Sequence, residues 1–114
     1  MSVTKPDDVV DLAIDEVKRG LADGSILLVD VRESEEYAAG HIPASVSVPL
    51  STFDPAALPE ANGRRIVFSC NSGGRTLRAL AATRAAGLDL REHYKGSFKD
   101  WVAHGEPVTT GEEP

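Results

Sequence analysis

The run Ile26-Leu27-Leu28-Val29-Asp30-Val31, preceded by Gly24, is short and almost wholly apolar. An amphipathic surface helix would interrupt such a run with polar residues every turn, whereas a strand covered on both faces tolerates it. A strand of that kind sits in the middle of a parallel sheet, and the rest of the chain must then supply helices to cover it.

The remaining segments fit this demand. Between Pro6 and Leu21, the apolar residues Val10, Ala13, Ile14, Val17 and Leu21 recur at helical spacing, with acids early and Lys18 and Arg19 late, which predicts a first helix. Ser34 is placed to cap a short helical turn that carries Glu35 and Glu36 at its positive end and stops at Gly40, before Ile42-Pro43. Val46 and Val48 alternate with Ser45 and Ser47 as a second strand ended by Pro49, and Ser51 to Leu58 reads as a loop or a single helical turn. Ile66 to Ser69 is a further strand. Arg75 to Ala86 is Ala-rich and helix-prone, with Leu77, Leu80, Ala81 and Ala85 on one face and Gly87 at its end. Glu92 to Tyr94 reads as a strand, and Phe98 to Ala103 as a helix anchored by Trp101. The alternation predicts the α/β class, with a mostly parallel central sheet and helices on both faces.

Composition narrows the functions open to such a fold. At 114 residues the chain has room for one domain and one site. Twelve Lys and Arg against eighteen Asp and Glu give a net charge of -6, and no cluster of basic residues is present to neutralise a phosphate backbone, so nucleic acid is not an expected partner. The longest uninterrupted apolar stretch, Ile26 to Val29, is far short of a membrane span. Asp7, Asp8 and Asp11 near the amino terminus are the reverse of a signal peptide's basic-then-apolar order, so the expected location is cytoplasmic. Cys70 is the single cysteine and cannot form an intrachain disulfide.

The stretch Ile66-Val67-Phe68-Ser69-Cys70-Asn71-Ser72-Gly73-Gly74-Arg75-Thr76 reads as a buried strand, a glycine-bearing loop, then a helix. Cys70 falls at the strand's carboxyl end, the edge where ligands gather in open α/β sheets. The small residues Ser72, Gly73 and Gly74 let the loop curl with its N–H groups inward, making an anion nest at a helix start. A free thiol with a pKa of about 8.5 is only a few per cent ionised at neutral pH. A cradle worth roughly 2 to 3 kcal/mol, with Arg75 adding charge, would lower that pKa by about two units and make the thiolate dominant. The competing reading is that Cys70 is an ordinary buried hydrophobe. An exposed-loop position among glycines favours the nucleophile.

Three segments then carry a family resemblance that runs from about Val9 to Val108. Asp30-Val31-Arg32-Glu33-Ser34-Glu35-Glu36-Tyr37-Ala38-Ala39-Gly40-His41-Ile42-Pro43-Ala44-Ser45 resembles the first signature of the rhodanese family of sulfurtransferases: D-V-R, then E-Y or E-F, then G-H-I-P-G-A, with Ala44 where glycine is commoner. Cys70 to Arg75 is similar to that family's six-residue active-site loop, which begins with the persulfide-forming cysteine. Tyr94-Lys95-Gly96-Ser97-Phe98-Lys99-Asp100-Trp101 resembles its terminal G-G-hydrophobic-x-x-W pattern, with Ser97 replacing the second glycine.

The resemblance implies a rhodanese-like domain over residues 1–108, followed by a flexible acidic tail over 109–114 that has no apolar anchor. It implies a ping-pong transfer without a cofactor, in which Cys70 takes the outer sulfur of a donor such as thiosulfate or a persulfide and yields it to cyanide or a thiol. Arg75 would hold the donor's oxyanion end, and the backbone N–H groups of Asn71, Ser72, Gly73, Gly74, Arg75 and Thr76 would stabilise the charged sulfur. Asn71 stands where thiosulfate-preferring members often carry a further basic residue. With no second cysteine to resolve a persulfide, the acceptor must come from outside.

Other polar residues read as structural. Asp30, Arg32 and Glu36 suggest a scaffold of exposed ion pairs beside the loop, each worth under about 1 kcal/mol. His41 lies in turn chemistry rather than in the position of a base, and His93 and His104 have no partner at metal-ligand spacing, so no metal is expected. Two rivals remain. Cysteine phosphatases and arsenate reductases also nest a thiolate at a helix start, but with C-x5-R, one residue longer than the C-x4-R here. A non-catalytic interaction module could keep the fold, although Cys70 and Arg75 are both present.

Overall fold

The computed structural model of the protein describes residues 8–114. Five strands form one sheet: β1 (Val10–Leu12), β2 (Ile26–Asp30), β3 (Val46–Ser47), β4 (Arg65–Ser69) and β5 (Glu92–Tyr94). Their spatial order is β1-β5-β4-β2-β3, and every pairing is parallel. Helices α1 (Ile14–Asp23), α2 (Ser34–Ala39), α3 (Arg75–Ala85) and α4 (Ser97–Ala103) connect them, with two short 3-10 turns at Leu50–Thr52 and Pro55–Ala57.

The apolar run Ile26–Asp30 is β2, buried at every position and paired with both β4 and β3. Its side chains alternate between two cores. Leu27, Val29 and Val31 join Phe68, Ala79 and Leu80 on the α3 side, where Leu50, Phe53 and Leu58 also pack. Ile26 and Leu28 join Leu12, Val17, Val67, Tyr94 and Trp101 on the side of α1 and α4. Helices therefore cover both faces, as the alternation requires.

The differences from the sequence expectation are local. Pro6 and Asp7, where the first helix was expected to begin, lie outside the described residues, and Val10–Leu12 is a strand rather than helix. Three residues satisfy a helical and an extended pattern almost equally, and the edge of β5 decides between them: Val10 donates to the Arg91 carbonyl at 2.7 Å. In α2 the cap is Glu33, not Ser34: Glu33 accepts from the Glu36 backbone while the Glu36 carboxylate accepts from the Glu33 amide at 3.1 Å. The buried face of α3 is Thr76, Ala79, Leu80 and Thr83, whereas Ala81 and Ala85 are exposed. The threonines can be buried because their hydroxyls are satisfied on the Gly73 and Leu80 carbonyls, at 2.8 and 2.9 Å.

Backbone hydrogen bonds join the segment after Val108 to the end of α2 and the residues that follow it. His41 and Thr109 exchange two hydrogen bonds of 2.8 and 2.9 Å, and the Gly111 amide donates to the Ala38 carbonyl at 2.8 Å. No helix among the described residues is long and apolar enough to cross a membrane.

Candidate active site

β4 ends at Ser69, so the next residue, Cys70, stands where the central strand meets the start of α3. The loop between them turns back through Gly73, whose φ of 95° is open to glycine and strained for other residues. A Cβ at Gly73 would also collide with the Lys95 carbonyl oxygen. The turn brings the Gly73 amide to 3.1 Å from the Cys70 sulfur. The Phe98 and Lys99 amides of α4 donate to the Cys70 and Asn71 carbonyls, each at 3.0 Å, and so fix the beginning of the loop.

Burial pushes the Cys70 thiol up, but the Thr76, Gly73 and Ser72 amides and the Ser97 hydroxyl together outweigh it and leave the thiol below its ordinary value. Of the loop amides, that of Gly73 makes the hydrogen bond to the sulfur. The expected exposure is not found. Cys70 is 1% exposed, and its flank packs with Phe68, Ala79 and Leu80. The reason is that the loop closes over the sulfur it serves: Asn71, Ser72 and Gly74 remain exposed while the atom beneath them does not. The residue is buried against this apolar cluster on one side, while the Gly73 amide at 3.1 Å and the Ser97 hydroxyl at 3.8 Å meet its sulfur.

Arg75 opens α3 and turns toward α2. Its Nη1 and Nη2 donate to Glu36 Oε1 and Oε2 at 2.7 and 3.0 Å, a forked ion pair. The Arg75 guanidinium holds the Glu36 carboxyl down to about 2. Glu36 is expected beside Asp30 and Arg32; its direct partner is Arg75, with Arg32 close enough to add to the field that holds its carboxyl down. Asp30 and Arg32 form a pair of their own that is buried, each 3% exposed, in contrast to the exposed ion pair expected. Arg32 Nε donates to Asp30 Oδ1 at 3.1 Å and its Nη2 to Oδ2 at 2.8 Å, while Nη2 also reaches the Gly40 carbonyl at 2.8 Å. The guanidinium carbon sits 4.2 Å from the centre of the Phe98 ring.

His41 is fully buried, stacks on Tyr37 at 3.6 Å, and places its ring nitrogens 2.7 Å from the Tyr37 carbonyl and 2.8 Å from that of Glu113. It ties α2 to the carboxyl-terminal segment. Two features went unread in the sequence. His93 bridges Thr76 Oγ1 and Asp11 Oδ1, both at 2.7 Å, and so links β1 and β5 to the first turn of α3. Ser97 accepts from the Cys70 amide at 3.0 Å. The only sequence signal for Ser97 is its place in the position of a glycine; for His93 no local signal exists.

The Rhodanese-like domain family model matches residues 13–104. The chain belongs to the rhodanese family. Among relatives, it is 34% identical over 108 residues to the thiosulfate:glutathione sulfurtransferase of Saccharomyces cerevisiae, an alignment covering 82% of this chain and 78% of that protein. It is 39% identical over 84 residues to the Synechocystis protein slr1261, covering 74% of this chain but spanning only 47% of that relative. The human single-domain sulfurtransferase TSTD1 superposes with a TM-score of 0.68 at 31% identity, covering 82% of this chain and 95% of that one. The fold is therefore a single rhodanese fold, and the relationship supports a rhodanese-type sulfurtransferase.

Proposed function

We propose that this rhodanese moves a sulfane sulfur from a thiosulfate-type donor to a small thiol through a persulfide on Cys70. The observation that carries the reading is the Cys70 sulfur, buried at the end of β4 with the Gly73 amide at 3.1 Å and the Ser97 hydroxyl at 3.8 Å. The names of the yeast relative and of its kind give thiosulfate as donor and glutathione as acceptor.

In the first step the Cys70 thiolate attacks the outer sulfur of thiosulfate. The S–S bond of the donor breaks, sulfite leaves with the electron pair, and Cys70 becomes a persulfide that keeps one negative charge. In the second, an acceptor thiolate attacks the outer sulfur, the bond to Cys70 breaks, and the electron pair returns to the Cys70 sulfur. The loop amides hold negative charge in both resting forms without reorganising, which is where their contribution lies. Arg75 uses one edge of its guanidinium on Glu36 and keeps further N–H groups for the sulfonate end of the donor. Asp30, Arg32, Glu36 and His41 act by holding the loop's surroundings.

Incubation with thiosulfate should add the mass of one sulfur atom to the intact protein, and reduced glutathione should remove it. Cys70→Ser should abolish both changes. Uptake of sulfur by the Cys70→Ser variant, or none by the wild type across thiosulfate and persulfide donors, would overturn the reading.

A further inference from the structure

Three non-glycine residues among those described have a positive φ: Ala44 at 71°, Asn62 at 53° and Ser97 at 56°. Such a backbone is unfavourable for any side chain, and persists where the surroundings hold it. Ala44 and Ser97 both stand where the family pattern favours glycine. Only Ser97 places a polar atom against the nucleophile: it is fully buried, and its Oγ lies 3.8 Å from the Cys70 sulfur.

A hydroxyl has one proton to give and two lone pairs. The Cys70 amide takes a lone pair of Ser97 Oγ at 3.0 Å, so the proton has two destinations: the Tyr94 carbonyl at 2.8 Å and the Cys70 sulfur. A neutral thiol is a poor acceptor and leaves the proton with the carbonyl, whereas a thiolate competes for it. We propose that Ser97 is a switchable donor to Cys70, its hydroxyl proton turning from the Tyr94 carbonyl to the sulfur whenever that sulfur carries negative charge.

The switch operates at two points of the cycle, a consequence that rests on the sulfur-transfer reading. It favours the thiolate that attacks the donor. It then favours the same atom as leaving group when an acceptor thiolate takes the outer sulfur, since the electron pair of the breaking bond returns to the sulfur beside Ser97. The left-handed backbone at residue 97 is accordingly the conformation that brings this hydroxyl to the nucleophile.

The test compares the full chain with Ser97→Ala and Ser97→Gly, which both lose the hydroxyl but differ in backbone strain. The readout is the rate of Cys70 alkylation by iodoacetamide against pH. Both variants should move the midpoint upward by about one unit, a tenfold loss of thiolate below it. Ser97→Gly, relieved of strain, should melt above Ser97→Ala. If Ser97 merely held the Cys70 amide, alkylation would slow at every pH with the midpoint unmoved, and a shift below about 0.3 unit in both variants overturns the proposal. A shift in Ser97→Ala alone does so too, because it would trace to distortion. Alkylation needs no sulfur donor, so a wild type that fails to load sulfur would refute the proposed transfer and leave the Ser97 result standing.

Discussion

The Asp30–Arg32 pair decides how much of this fold's stability depends on charge. In the exposed setting expected from the sequence, such a pair is worth under about 1 kcal/mol. In the structure both residues are 3% exposed, and Asp30 accepts from Arg32 Nε and Nη2 and from its backbone amide at 2.9 Å. Asp30→Ala removes these acceptors and leaves the guanidinium buried, with the Gly40 carbonyl as its remaining acceptor among the described residues, the Phe98 ring beneath it and the Glu36 charge nearby. Uncovering one partner of a buried pair costs about 3 to 5 kcal/mol, against a total stability of about 5 to 15 kcal/mol for a domain. At about 4 °C per kcal/mol for a chain of this size, the melting temperature should fall by about 12 to 20 °C, measured by circular dichroism. Asp30→Leu with Arg32→Met should recover most of that loss, because removing both charges leaves neither unpaired. A single variant that melts within about 4 °C of the wild type, the equivalent of about 1 kcal/mol, would refute the buried-pair reasoning.

Two further predictions concern the loop. Gly73→Ala meets both a φ of 95° and the Lys95 carbonyl, so the loop must shift and the amide at 3.1 Å is lost to the sulfur. Loss of one hydrogen bond to a charged group, about 1.5 to 3 kcal/mol, should raise the alkylation midpoint by about one to two pH units, while Gly74→Ala, whose Cβ meets nothing, should not. The second concerns Glu36, held down from an ordinary 4.5 to about 2 by Arg75. A carboxyl with a depressed folded-state value contributes stability that is full above 4.5 and disappears as pH falls toward 2. The difference in urea midpoint between wild type and Glu36→Gln should therefore shrink across that window, and a difference that persists at pH 2 would exclude the ion pair as its source.

What could be read from the sequence is what neighbouring residues decide among themselves. The continuous apolar run of β2, the strand ending at Ser69, the small-residue turn after Cys70 and the Ala-rich helix α3 each carry their signal within a few residues, and each forms as expected. The parallel α/β sheet follows from their alternation. The place of Cys70 at the end of β4 and the turn that brings the Gly73 amide to its sulfur were legible for the same reason, since they lie within three residues of each other.

What the sequence left open is decided by partners far apart in the chain. β1 exists because β5, some eighty residues on, offers an edge, with Val10 opposite Glu92. Arg75 finds Glu36 across 39 positions and Cys70 finds Ser97 across 27, while the depth at which Arg32 and Cys70 lie depends on the helices and loop that close over them. Burial and hydrogen-bond partnership are properties of the packed whole: they set whether a pair of charges is worth a fraction of a kcal/mol or several, and no periodicity in the chain records them.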